Sequence, residues 1–122
     1  MHYKRVELKV TDQGIHEHKI FQGVKIFSRS TLSKDQKSIL TQKIYLTPKQ
    51  NIVYYQRTDV NYDQNWHHKK DYYELAYDQL DREIVFKVCQ AFDELCPFLE
   101  NELLEKLKEK QAAGKFFEKL DI

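Results

Sequence analysis

Val6, Leu8 and Val10 alternate with Arg5, Glu7 and Lys9, a period of two that predicts a half-buried strand. TDQG follows, and its Gly14 is free to take the positive φ that turns a chain back on itself. IHEHKIFQGVKIFS reads as a second, long extended segment, and Gly23 in its middle predicts a bulge or a close backbone approach. SRSTLSKDQKS is polar and reads as a loop. QKIYLT and IVYYQRT, separated by PKQN, predict a hairpin. Ile44 and Leu46 face one way in it, Lys43 and Tyr45 the other, and Pro48 takes the turn. Beyond the polar connection NYDQNWHHKK, YYELAYD and REIVFKV predict a second hairpin across QLD. Ile84, Phe86 and Val88 share one side of its last strand, with Val85 and Lys87 on the other.

The period then changes. AFDEL predicts a short helical turn that Pro97 interrupts, and Phe98, Leu99, Leu103, Leu104 and Leu107 form an apolar stripe at helical spacing. A longer C-terminal amphipathic helix follows from it, stopped at Gly114. Strands first and helices last give an α+β domain. The expected fold is an antiparallel sheet of about six strands in hairpins, covered on one face by the helices. It is strand-rich over 1–90, helical over 91–113, and carries a tail at 114–122. In that tail, Phe116, Phe117, Leu120 and Ile122 would each forgo roughly 1.5 to 3 kcal/mol if left in water. The tail is therefore expected to dock on the body, with an added edge strand as one form. The rival is a tail held out as a peptide ligand for a partner.

At 122 residues and 41% apolar composition the chain fits one domain able to bury a single core without metal or disulfide support. No apolar run approaches the roughly 20 residues that span a bilayer, and MHYKRVELKV lacks the apolar core of a secretion signal. A cytoplasmic location without membrane association is expected. There Cys89 and Cys96, seven residues apart, are expected as two thiols. The net charge is only +1, but residues 1–70 carry 13 Lys and Arg against 6 Asp and Glu, a balance of +7, and residues 71–122 carry 7 against 13, a balance of −6. Such a split predicts either two faces of opposite sign or halves that pair across the fold.

Candidate chemistry is sparse. His16 and His18 flank Glu17 and share one face of a strand, and with His67 and His68 they form a candidate metal set. Nothing fixes the distance between the two pairs, and half-exposed strand histidines explain them equally. Asp59, Asn61, Asp63 and Asn65 have the spacing of a calcium loop. Gln64 stands where that loop needs Gly, however, and Lys70 where it needs Glu. NWHHKK combines Trp66 with His67, His68, Lys69 and Lys70, the aromatic and cationic mixture that holds single-stranded nucleic acid. Lys49, Tyr54, Tyr55 and Arg57 on the preceding hairpin would extend it. Tyrosines that simply fit a pleated sheet are the plainer explanation. There is no GxSxG, HExxH or phosphate-cradling glycine loop, and no motif calls for a metal or cofactor. Cys89 and Cys96 are expected in apolar surroundings beside Phe92 and Phe98, where a thiol is a poor nucleophile.

The last five residues, Glu118, Lys119, Leu120, Asp121 and Ile122, carry a likeness. The chain resembles the EXLDI family, small bacterial proteins named for a C-terminal Glu-x-Leu-Asp-Ile. KIFQGVKIFS, IYLTPKQNIVYY and AFDELCPFLENELLEKL extend the resemblance over nearly the whole chain. The likeness implies the fold more than a function, since it brings no catalytic residues. Some proteins of this type carry an N-terminal segment resembling a ribbon-helix-helix unit. This chain opens directly on its first strand, so that DNA-binding role is not expected here. The expected function is non-catalytic recognition, of a protein partner or by self-association, in a bacterial regulatory setting. Two other readings stand beside it: a nucleic-acid-binding protein using the basic, aromatic first half, and a small-molecule sensor with its pocket between sheet and helix.

Overall fold

The alternation of apolar and polar residues becomes a five-stranded antiparallel meander in a computed structural model that describes residues 3–61, 84–118, 120 and 121. The strands are β1 (Lys4–Asp12), β2 (Ile15–Leu32), β3 (Ser38–Leu46), β4 (Ile52–Val60) and β5 (Val85–Cys89), each paired with the next in sequence. A 3-10 turn (Phe92–Leu95), the helix α1 (Asn101–Ala112) and a second 3-10 turn (Lys115–Phe117) follow. The fold is thus broadly α+β. Among the described residues no helix is long and apolar enough to cross a membrane.

β1 and β2 meet at Gln13 and Gly14, whose φ values of 51° and 80° are both positive, as the two-residue hairpin turn that matches strand twist requires. β2 is 18 residues long and serves two partners. Its first half pairs with β1, from Ile15 opposite Asp12 to Gly23 opposite Lys4, and its second half pairs with β3, from Val24 opposite Leu46 to Leu32 opposite Ile39. The register shifts between Lys25 and Phe27, a bulge that bends the strand and increases its twist. Gly23 sits at this bend. A Cβ there would stand 2.8 Å from the Phe21 ring and 3.2 Å from the Leu46 carbonyl oxygen.

The bend curls the sheet and gives it two apolar layers. Ile44 and Leu46 of β3, Ile52 and Tyr54 of β4 and Cys89 of β5 pack under Phe92, Leu95, Leu99, Leu104 and Leu107. On the other face Tyr45, Val53 and Tyr55 pack against Leu8 and Val10 of β1. Tyr55 Oη donates to the Lys9 carbonyl oxygen at 3.1 Å, so β1 reaches across the sheet to β4 although β2 and β3 lie between them in strand order. The face away from the helices is therefore packed against the chain's own first hairpin.

Four expectations are corrected. First, the sheet has five strands among the described residues, not about six, because the remaining expected strand, YYELAYD, lies outside them. Second, SRSTLSKDQKS is mostly strand. β2 runs to Leu32 and β3 starts at Ser38, because the pairing is made by the backbone and tolerates polar side chains, and Ser30 and Thr41 place their hydroxyls 3.5 Å apart across it. Third, the C-terminal helix is short, 12 residues or about 18 Å long. Phe98 and Leu99 belong to the turn before it, where the Phe98 and Leu99 N–H groups both donate to the Leu95 carbonyl. Fourth, the tail adds no edge strand among the described residues. Gly114 takes φ 67° and reverses the chain, and Phe116 and Phe117 then pack half-buried against the helix-side core. Leu120, 62% exposed, does not.

Candidate functional site

The curl leaves an opening where the tip of the first hairpin approaches the start of β5. A cleft of about 900 Å³ lies there. Val10 of β1 with Ile84 and Phe86 beside β4 supply its apolar part, and Thr11, Asp12, Gln13, Glu17 and Lys19 supply its polar lining. Register explains the charges: Glu17 pairs with Val10 and Lys19 with Leu8, so both project to the inner face of the hairpin, where apolar cover ends. Lys19 Nζ lies 2.7 Å from Glu17 Oε2 and 5.6 Å from the centre of the Phe86 ring. A cation is thus held between a carboxylate and an aromatic face.

A second polar constellation lies on the helix side. Gln42 is 2% exposed. Its Oε1 accepts from Arg29 Nε and Nη2, at 3.1 and 2.9 Å, and its Nε2 donates to Tyr54 Oη and the Phe98 carbonyl, at 3.0 and 3.1 Å. Tyr54 Oη in turn donates to Gln56 Oε1 at 2.6 Å, and burial pushes the Tyr54 phenol up from its ordinary value. Arg29 Nη1 donates to Glu100 Oε1 at 2.6 Å, which holds the Glu100 carboxyl below the usual carboxylate range. Every group here has its partner, so the network fixes α1 to the sheet.

Of the residues expected to hold nucleic acid, the described ones, Lys49, Tyr54, Tyr55 and Arg57, are not brought together. Tyr54 is fully buried and stacks on Phe98 at 5.0 Å between ring centres, and Tyr55 is buried on the opposite face. Neither offers a ring to a ligand, because each fills a core layer of its own. Lys49 is exposed in the turn between β3 and β4, whereas Arg57 lies five residues into β4 from Ile52, about 17 Å along the strand, with its Nε 2.7 Å from Asp59. Trp66, His67, His68, Lys69 and Lys70 lie outside the described residues. So do Asp63, Asn65 and Ile122. In the tail motif Glu118, Leu120 and Asp121 are exposed.

His16 and His18 point at β1 rather than at a shared ion. His16 Nδ1 lies 3.1 Å from Thr11 Oγ1, and His18 Nδ1 lies 2.8 Å from Glu7 Oε1. Among the described residues no group of three His, Cys, Asp or Glu side chains is placed to hold a metal ion. Asp59 is committed to Arg57, and Asn61 donates to the Gln36 carbonyl at 2.8 Å. The two cysteines are free thiols in different settings. Cys89 is buried in the helix-side core, where burial pushes its thiol up, while Cys96 is exposed rather than apolar-packed.

Sequence reasoning missed the cleft because it spans residues far apart in the chain. Its one readable sign was the pair Glu17 and Lys19, charged positions on a strand face that becomes apolar again at Phe21. No family model, no curated protein and no solved structure matches this chain.

Proposed function

We propose that the chain is a non-catalytic recognition domain whose ligand enters the cleft at the open side of the curled sheet. The observation that supports this reading is the make-up of the cleft: about 900 Å³ in volume, it sets apolar Val10, Ile84 and Phe86 beside polar Thr11, Asp12, Gln13, Glu17 and Lys19. Apolar surface beside placed polar groups can both hold and orient a ligand. Binding without chemistry fits the same residues. The Glu17 carboxylate is already engaged by Lys19, and the buried Cys89 thiol belongs to the opposite face of the sheet.

A sensing role, expected from the sequence for a pocket between sheet and helix, moves to this cleft, because Tyr54, Phe92, Leu95 and Leu104 fill the helix side. A protein partner remains a source of ligand groups for the same opening. Membership of the EXLDI family and a regulatory setting inside a bacterial cell belong to this proposal on the sequence alone.

A fragment screen by amide NMR tests it. Binding fragments should shift the amides of Val10 to Gln13, Glu17, Lys19 and Phe86 saturably. Glu17→Trp places a large ring at an exposed, strand-compatible position and should abolish those shifts with little change in melting temperature. Fragments that shift only other surfaces, or bind Glu17→Trp equally, would overturn the proposal.

A further inference from the structure

The cleft already shows what it can hold. Lys19 places its ammonium between the Glu17 carboxylate and the Phe86 ring, the two kinds of surface that attract a cation by charge and by the ring's negative face. Asp12 adds a second carboxylate to the same lining, and it makes no ion pair with any described residue. Among the described residues the charged lining is Asp12, Glu17 and Lys19, a formal charge of −1, so an anion is opposed and a cation favoured. The adjacent apolar wall suits a hydrocarbon or aromatic body but not a bare ion.

We infer that the cleft takes a positively charged nitrogen carried on a short apolar body, with Lys19 acting as an internal competitor for the same place. This rests on the cleft being the binding site. The charged group pairs with Asp12 on entry and displaces the Lys19 ammonium from Glu17 and Phe86, while the apolar body lies on Val10 and Ile84. Two sources present this chemistry: a free organic amine, and a basic side chain of a peptide.

The test uses the full chain and three aromatic probes of one shape and different charge: benzylamine, benzyl alcohol and benzoate, titrated by NMR at neutral pH. Benzylamine should bind most tightly and benzoate least. Lys19→Met keeps the hydrocarbon stem and removes the competing charge, so benzylamine affinity should rise about fivefold. Asp12→Asn, a conservative change at a turn, should weaken it by about threefold. A capped Gly-Arg-Gly peptide assigns the source: tighter binding than benzylamine supports a partner's side chain, and weaker binding supports a free amine. Benzyl alcohol binding as tightly as benzylamine, or Lys19→Met leaving the affinity unchanged, would overturn the charge inference while leaving the cleft as a site. Failure of all three probes to saturate would overturn both.

Discussion

Gln42 shows how one polar residue can hold two layers together. It uses both lone-pair directions of its Oε1 and both protons of its Nε2, toward Arg29, Tyr54 and Phe98. No buried side-chain polar atom among the described residues is left without a partner, which is the condition under which a buried network stabilises. Gln42→Leu removes one member and keeps the volume. It strands the Phe98 carbonyl and one edge of Arg29 and takes from the Tyr54 hydroxyl the bond it accepts, leaving only its bond to Gln56, and should cost about 2 kcal/mol in urea denaturation. A cost below about 0.5 kcal/mol would mean that water or rearranged side chains replace Gln42 freely. The sequence gives no hint of this role. A glutamine between Thr41 and Lys43 in a β-rich run has the look of a solvent-facing residue, and only the packing of Phe98 and Glu100 over that end of the sheet buries it.

At the scale of elements, the long strand β2 turns a flat meander into a curled one. Its polar second half read as a loop because its composition is hydrophilic, whereas register with β3 is set by backbone pairing and by the bulge near Gly23. Gly23 itself was legible, since a glycine inside a strand pattern signals a bend. Gly23→Ala forces a methyl onto the Phe21 ring and the Leu46 carbonyl and should destabilise by about 1 to 3 kcal/mol. The amides of Phe21 and Leu46 should move most. The tail divides in the same way. Phe116→Ala should cost about 1 kcal/mol or more for the burial it loses, and Leu120→Ala, at a position 62% exposed, should lie within about 0.5 kcal/mol of the parent. Equal effects would contradict a tail that docks through Phe116 rather than Leu120. The 3.6-residue stripe located the helical cover correctly but overstated the helix, because Phe98 and Leu99 reach the core from a turn that Pro97 makes possible.

Across the whole molecule the opposite charges of the two sequence halves meet at Arg29 and Glu100, so part of the split is spent on joining sheet to helix. The described carboxylates Glu7, Asp35, Glu94 and Glu100 all lie below their ordinary range. Hydrogen bonds account for this: from His18 to Glu7, from Ser33 to Asp35, from the Gln90 and Ala91 N–H groups to Glu94, and from Arg29 to Glu100. A depressed carboxyl contributes stability above its unfolded value and loses it as pH falls through the folded value. The melting temperature should therefore hold between about pH 7 and 5 and fall below about pH 4. Glu94→Gln, which removes the carboxylate that accepts from the Gln90 and Ala91 N–H groups, should make that fall shallower, and a protein that gains stability on acidification would contradict the assignment. Periodicity revealed which residues of each strand share a face. It could not reveal that the first hairpin folds over β4 toward β5, since curl depends on twist accumulated over many residues.

Both the cleft and its preference for a cation depend on that curl, and the contact between Lys19 and Phe86 reports it without any ligand. A two-dimensional NOE spectrum of the free protein should show cross-peaks from the Lys19 ε-methylene to the Phe86 ring, with the methylene shifted upfield by the ring current, together with cross-peaks between Leu8 and Tyr55. An unshifted Lys19 with no cross-peak to Phe86 would mean that the hairpin stands away from β5, and the proposed site would not exist.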